Sequence, residues 1–435
     1  MPVPITKVYI GFSLPAAGSN LFILDDPVQG LLDSAYVLGG DVLTDVTNYV
    51  ASVSVDRGKS RELDRYTAGH ASVTLHNDTR VFDPYNTASP YYTQIVPRKP
   101  IVIEVNGDRV FTGFIDDWDL TYDVSGKSFA SVSAVDGFLR LSAAELDTFT
   151  ATSQLSSARI SAILDRNDVA WPAANRNIET GLITLQADVV PENTNALQYL
   201  QLVESTENGK LFIDRSGQLT FKNRIPVPSL TDIPVFADDA TVDGIKYTNI
   251  EVIYGSENLY NRVSVTRESG TSQTVDSTDS QDAYGIASLS LDGLLFNSDA
   301  DSLALANYLL NIYDEPELRI NSLTVNLHDK TNLQVQKLST LDIGGAVEIK
   351  FTPNQTGAAI EQYAIVTGVK HDIGIDRHSA TYSFSSIFYI PLILDDPIYG
   401  RLGGFLPSYD SSTTDRKSSR LNSSHRALSR MPSSA

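Results

Sequence analysis

The chain of 435 residues contains no cysteine. That excludes a disulfide framework, a thiolate-ligated zinc or iron–sulfur centre and a thiol nucleophile. Six histidines are present (His70, His76, His328, His371, His378, His425), and none falls in H-x-H or H-E-x-x-H spacing, the patterns that bring two imidazoles to one metal. A G-x-S-x-G elbow, a Walker A loop and a dinucleotide fingerprint are also missing. No run of 18 apolar residues occurs, so no membrane insertion is expected. Met1 to Asn20 lacks the basic start and apolar run of a secretory signal. Basic residues are scarce, 33 against 53 acidic ones. The resulting net charge of −20 disfavours unaided binding to nucleic acid or an anionic membrane.

What positive charge there is gathers at one end. Residues 416–435 hold Arg416, Lys417, Arg420, Arg426 and Arg430, seven serines and no acid. Removing this +5 leaves the preceding 415 residues at −25. A basic serine-rich segment buries too little apolar area to offset chain entropy, so 415–435 is expected to be a disordered tail. It also resembles read-through sequence that contaminates some assembled sequences, and is set aside from the fold.

Elsewhere the dominant period is 2, the signature of strands. It runs through Ala51, Val53 and Val55, then Ala71, Val73 and Leu75, and again through Leu323, Val325 and Leu327, Val347, Ile349 and Phe351, and Ala380, Tyr382 and Phe384. Ile101–Val105, Asn106-Gly107 and Arg109–Ile115 predict a hairpin, since Asn-Gly tolerates the positive φ of a type I′ turn. Helical spacing is confined to three places. These are Ser156–Arg166, a segment capped by Thr194 and ended by Asn208-Gly209, and one capped by Asp299 and stopped before Pro316. The polar run Glu268–Asp282 reads as a mobile surface loop.

These patterns predict an α+β, β-dominant chain with two β-barrel-like domains, at 45–147 and 246–386, separated by an α/β segment at 148–245. Residues 1–44 and 387–414 are expected to be extended arms. Each arm carries one copy of a repeat: ILDDPVQGLL from Ile23 and ILDDPIYGRL from Ile393 agree at seven of ten positions. Asp-Pro holds the preceding residue extended, while Gly30 and Gly400 permit a turn. The repeat is either a docking arm, built on Leu24, Asp25, Asp26, Pro27 and Gly30 and on Leu394, Asp395, Asp396, Pro397 and Gly400, or two similar turns packed within the chain.

Residues that bear chemistry are few. Asp116-Asp117-Trp118-Asp119 offers paired carboxylates and an indole that would stack on a sugar. Neighbours on a strand point to opposite faces, however, which favours a solvated strand end over a hydrolase site. His371-Asp372 and Asp376-Arg377-His378 bracket a turn, where polar hairpin ends are expected rather than a metal clamp. The charge-dense run Asp56–Arg65 reads as a solvated connection whose surface pairs are worth little. No cofactor and no enzymatic activity are expected.

The order of several short segments carries a resemblance. SVDRGKSRELDRYTAGHASVTLHNDTRVFDP (Ser54–Pro84), PIVIEVNGDRVFTGFIDDWDLTYD (Pro100–Asp123) and VSAVDGFLRL (Val132–Leu141) are followed by Asp214-Arg215-Ser216-Gly217-Gln218-Leu219, Asn261-Arg262-Val263 and Val366–His371. In that order they resemble the minor tail proteins, or tail hubs, of long-tailed bacteriophages, nearest to those of actinobacterial siphophages. The resemblance spans most of residues 45–385 and implies a virion structural protein at the tail tip, synthesised in the host cytoplasm. It implies a homo-oligomeric ring, trimeric in such hubs, with two related barrels per chain. Its implied partners are the tube or distal tail protein above, tip or fibre proteins below and the tape measure protein, with DNA passing through without specific binding. The alternatives are a hexameric distal tail protein, a glycan-binding adsorption protein and a cell-wall hydrolase using Asp116 or Asp119.

Overall fold

The computed structural model describes residues 4–12, 42–224, 232–238 and 244–386. Both LDDP repeats and the basic tail lie outside the described residues.

The period-2 runs bury one face and expose the other, and together they build a single sheet of thirteen strands. Val50–Gly58, Thr67–His76, Ser128–Val135 and Asp108–Tyr122 pair antiparallel in that spatial order. Pro100–Val105 joins through the expected hairpin, with Asn106 at φ 50° and Gly107 at φ 90°. Thr6–Phe12 pairs with Pro100–Val105, and Val42–Asp45 pairs with Thr6–Phe12 at the edge. The first strand lies within the expected arm 1–44, which this corrects. Val8, Ile10 and Phe12 alternate into the core, so these residues belong to the first β unit.

On the other side of Val50–Gly58 lies Ile360–Ile373, followed by His378–Ser386, Leu318–Asn326 and Asn249–Tyr254. Ala346–Phe351 pairs with the first half of Ile360–Ile373, and Val235–Ala237 runs parallel beside it. The two expected β units therefore share one ladder, from Ile373 opposite Val53 to Gly368 opposite Gly58. The fold is α+β and β-dominant. Among the described residues the hydrogen-bonded order stays open, with Asn249–Tyr254 and Val42–Asp45 at its two ends.

Among the described residues six α-helices accompany the strands: α1 (Phe138–Ala143), α2 (Ser156–Leu164), α3 (Ala196–Glu207), α4 (Thr278–Tyr284), α5 (Asp299–Tyr313) and α6 (Asn332–Thr340). The three expected helices are present, and the two expected caps, Thr194 and Asp299, are each one residue away from the observed ones. The Gln198 amide donates to the Asn195 side chain and the Asp301 amide to that of Ser298. Asn208, left-handed at φ 53°, ends α3 as its Asn-Gly sequence predicts. The run Glu268–Asp282 is not a plain loop. Gln273–Asp276 pairs with Arg262–Arg267 and α4 follows, because Val275 packs on the core and Asp276 accepts from Arg262 at 2.7 Å.

Two cores form. One lies under the large sheet and unites Val55, Val73 and Phe111 with Leu323, Val369 and Tyr382. The other gathers α1, α2, α3 and α5 around Leu141, Ile160, Leu200 and Leu305 with Val263 and Phe296. This second core cuts across the expected boundary at 245/246.

Candidate functional site

The outer face of the large sheet is polar over its central strands, because these alternate small hydroxylated or acidic residues with buried aliphatic ones. Registers align these residues into rows that cross both β units. One row runs Asp117, Ser133, Ser72, Ser54, Asp372, Ser379, Asn326 over seven strands. A second runs Asp119, Ser131, Thr74, Ser52. A third runs His70, Asp56, Lys370, Thr381, Thr324, Asn249.

Hydrogen bonds join residues within the rows, one of them across the seam between units. Ser54 Oγ donates to Asp372 Oδ1 at 3.1 Å, and Thr324 and Thr381 share a hydroxyl contact at 2.9 Å. Lys370 is the one lysine or arginine in these rows, and its Nζ lies 3.7 Å from Asp372 Oδ2. The face thus offers water-binding hydroxyls and net negative charge, with no free cation in the rows to hold a phosphate.

Beneath the same seam lie buried charges. Arg57, 3% exposed, meets Asp342 at 2.8 Å, and Asp342 also accepts from the Arg215 amide. Glu62 meets Arg319 at 2.5 Å, and Lys59 donates to the carbonyls of Glu62 and Asp64. The expectation of a solvated connection over Asp56–Arg65 holds for Asp56, Ser60, Arg61 and 63–65, which are exposed, and is corrected for Arg57, Lys59 and Glu62. The ionic partners of Arg57 and Glu62 lie in the second β unit, hundreds of residues away in sequence, where no local pattern reveals them.

Burial shifts several neighbours. Asp136 is pushed up to about 6 although it accepts from the Phe138 and Gly69 amides. Glu204, accepting from the Leu211 amide, is pushed up to about 7. Half-buried Lys210 is lowered to about 8, first by burial and then by Lys59 and Lys222.

The residues singled out in the sequence fall as follows. Leu24 to Gly30 and Leu394 to Gly400 lie outside the described residues. Asp117 and Asp119 are exposed on the outer face, and Asp116 sits at the bulge between Ile115 and Asp117, within a continuous strand rather than at its end. Trp118 points inward, stacks on Phe82 with centroids 6.1 Å apart and donates Nε1 to the Val96 carbonyl at 3.3 Å. Its face is spent on the core rather than open to a sugar. His371 and His378 are not polar hairpin ends. They are 1% and 0% exposed, and Nδ1 of His371 lies 3.1 Å from Nε2 of His378. Among the described residues no group of three or more metal-ligating side chains occurs. No described helix is long and apolar enough to cross a membrane.

No protein-family model and no curated protein matches the sequence. Solved structures do match. The 43 kDa tail protein of prophage MuSo2 from Shewanella oneidensis is similar at a TM-score of 0.56 and 12% identity, over 88% of this chain and 98% of that one. A tail protein from Neisseria meningitidis is similar at 0.57 and 11% identity, over 87% and 96% of the two chains. At that identity the likeness establishes architecture: the chain has the fold of these phage tail proteins.

Proposed function

We propose that this protein is a structural subunit of a phage tail hub, forming a ring at the tail tip that joins the tube to tip or fibre proteins and lets DNA pass. The observation that carries the reading is the polar outer face, continuous across both β units and poor in cations. Lining a channel, such a face would keep DNA hydrated and unbound, since like charge suppresses adhesion to phosphate. The two open strands at the ends of the sheet, Asn249–Tyr254 and Val42–Asp45, supply edges that head-to-tail copies would pair to close a ring.

The role is structural rather than catalytic. Three copies per ring fit two β units per chain, and the two LDDP arms would reach neighbouring tail proteins, with the tape measure protein a further partner in the channel. The decisive experiment is imaging of purified particles for ring symmetry together with their mass. Three-fold rings with the Ser72 and Asp117 face inward are expected. Six copies per ring would favour the distal tail reading, and an outward-facing row would remove the channel role. Deleting residues 21–33 and scoring tail assembly tests the first arm, and normal tails would sink the docking role.

A further inference from the structure

The large sheet is continuous, and among the described residues its two halves are joined edge to edge along the ladder of 53–58 with 368–373. His371 stands in that ladder opposite Val55, and its partner His378 stands opposite Ile373 at the adjoining hairpin. Both rings lie in the apolar layer under the sheet, at 3.1 Å from one another. A hydrogen bond between two neutral imidazoles needs one donor and one acceptor, so a single proton too many on each ring destroys it. We propose that the His371–His378 pair is an acid-sensitive latch, whose protonation parts the ladder of 53–58 with 368–373.

Beyond the partner imidazole, the surroundings give a protonated ring no carboxylate to pair with. From Val50–Gly58 the charged side chain facing the pair is the Arg57 guanidinium, itself committed to Asp342 and repelling a cation on His371. Asp136, beside Arg57, is held by the Gly69 and Phe138 amides. The core under the same sheet holds Val335 and Leu338 of α6 and Leu323 and Val325 of Leu318–Asn326. Tyr382 donates its hydroxyl to the Leu338 carbonyl. The turn whose Leu327 amide donates to the His378 carbonyl carries His328 and the Lys330–Asp329 pair. Asp372 lies on the opposite, outer face with Ser54.

Consistent with this, burial holds His378 down near 4 against an ordinary 6.5, and burial, His378 and Arg57 hold His371 well below it. The parted state takes up protons below its ordinary value while the closed state does not, so closure is fully favoured above 6.5 and weakens as pH falls toward 4. From His378 alone the opening equilibrium rises on the order of a hundredfold across that window.

Hydrogen exchange of the full chain between about pH 7.5 and about pH 4.5, corrected for intrinsic rates, tests the latch. Amides of 53–58 and 368–373 are expected to lose protection on the order of a hundredfold, while those of 71–75 and 130–134 keep theirs. The double variant His371→Gln, His378→Gln is expected to abolish the acid response. Uniform loss along the sheet, unchanged protection at low pH, or the same response in the variant would overturn the proposal. If the variant fails to fold, nitrogen chemical shifts of the wild-type histidines decide. Both rings neutral at about pH 5.5 with the ladder closed are expected, whereas a cationic ring in a closed ladder overturns the latch.

Discussion

Arg57 and Asp342 meet at 2.8 Å across 285 residues of sequence, and through this pair the first β unit grips the second from beneath the shared ladder. Breaking a buried pair from one side strands the other charge in the core. Asp342→Ala is therefore expected to cost about 3 kcal/mol in urea unfolding, with Arg57→Met in the same range. The double variant should cost less than the two together, because neither charge is left alone. A cycle with no coupling would mean that the pair adds nothing to the joint.

Close approach at the same seam makes a sharper test. Gly58 has φ 95°, and a Cβ there would stand 2.2 Å from the Thr367 carbonyl oxygen. Gly107 has nearly the same φ, 90°, but open space around it. Gly107→Ala should cost about 1 kcal/mol from backbone conformation alone. Gly58→Ala should cost several times that and disturb the exchange of 368–373 first, since backbone cannot yield as a side-chain tip can. Equal costs at the two glycines would show that the seam tolerates a shift of several tenths of an ångström.

The contrast between those two glycines also explains what the sequence disclosed. The Asn106-Gly107 turn, the Asn208-Gly209 helix end and the period-2 strands depend on neighbours within a few residues, and all were legible. Thr6–Phe12 carries the same alternation at Val8, Ile10 and Phe12, but the sequence reading places it in an arm because of the repeat that follows. The Arg57–Asp342 and Glu62–Arg319 pairs, and the burial of His371 with His378, depend on which strand lies beside which. In charge-dense Asp56–Arg65, Arg57 and Glu62 look solvated until the second β unit is laid against them. The capping box of Thr331 and Gln334 that starts α6 was the missed local signal. The rows of serine and aspartate were visible strand by strand, but their alignment is a matter of register, which sequence alone does not supply.

Glu204 offers a pH test separate from the histidines. Its folded value, near 7, lies above the ordinary 4.5 because burial outweighs the Leu211 amide and the Lys59 charge. A raised carboxylate contributes stability that is present below 4.5 and lost as pH rises through 7. Glu204→Gln keeps an acceptor for Leu211 and removes that loss. The variant should exceed the wild type by about 2–3 kcal/mol near pH 8.5 and match it near pH 4, read from urea midpoints. An advantage that persists at low pH would point to packing rather than ionisation.

The polar outer face is tested by reversing its charge without touching the core. Ser52, Ser72 and Asp119 are exposed in the aligned rows on Val50–Gly58, Thr67–His76 and Asp108–Tyr122, and each side chain points away from the buried layer. Replacing all three with lysine should leave stability within about 0.5 kcal/mol per site, as surface changes usually do. DNA adhesion should change far more, because three cations set in rows across the sheet can neutralise phosphates where the native face repels them. Binding of double-stranded DNA to the triple variant is expected to be measurable at low salt and to fall with a log–log slope steeper by about 2–3 than that of the wild type. Particles assembled with the variant should eject DNA more slowly if the face lines the channel. Adhesion gained in solution with ejection unchanged would place the face elsewhere in the ring, so the two readouts separate the chemistry of the surface from its position.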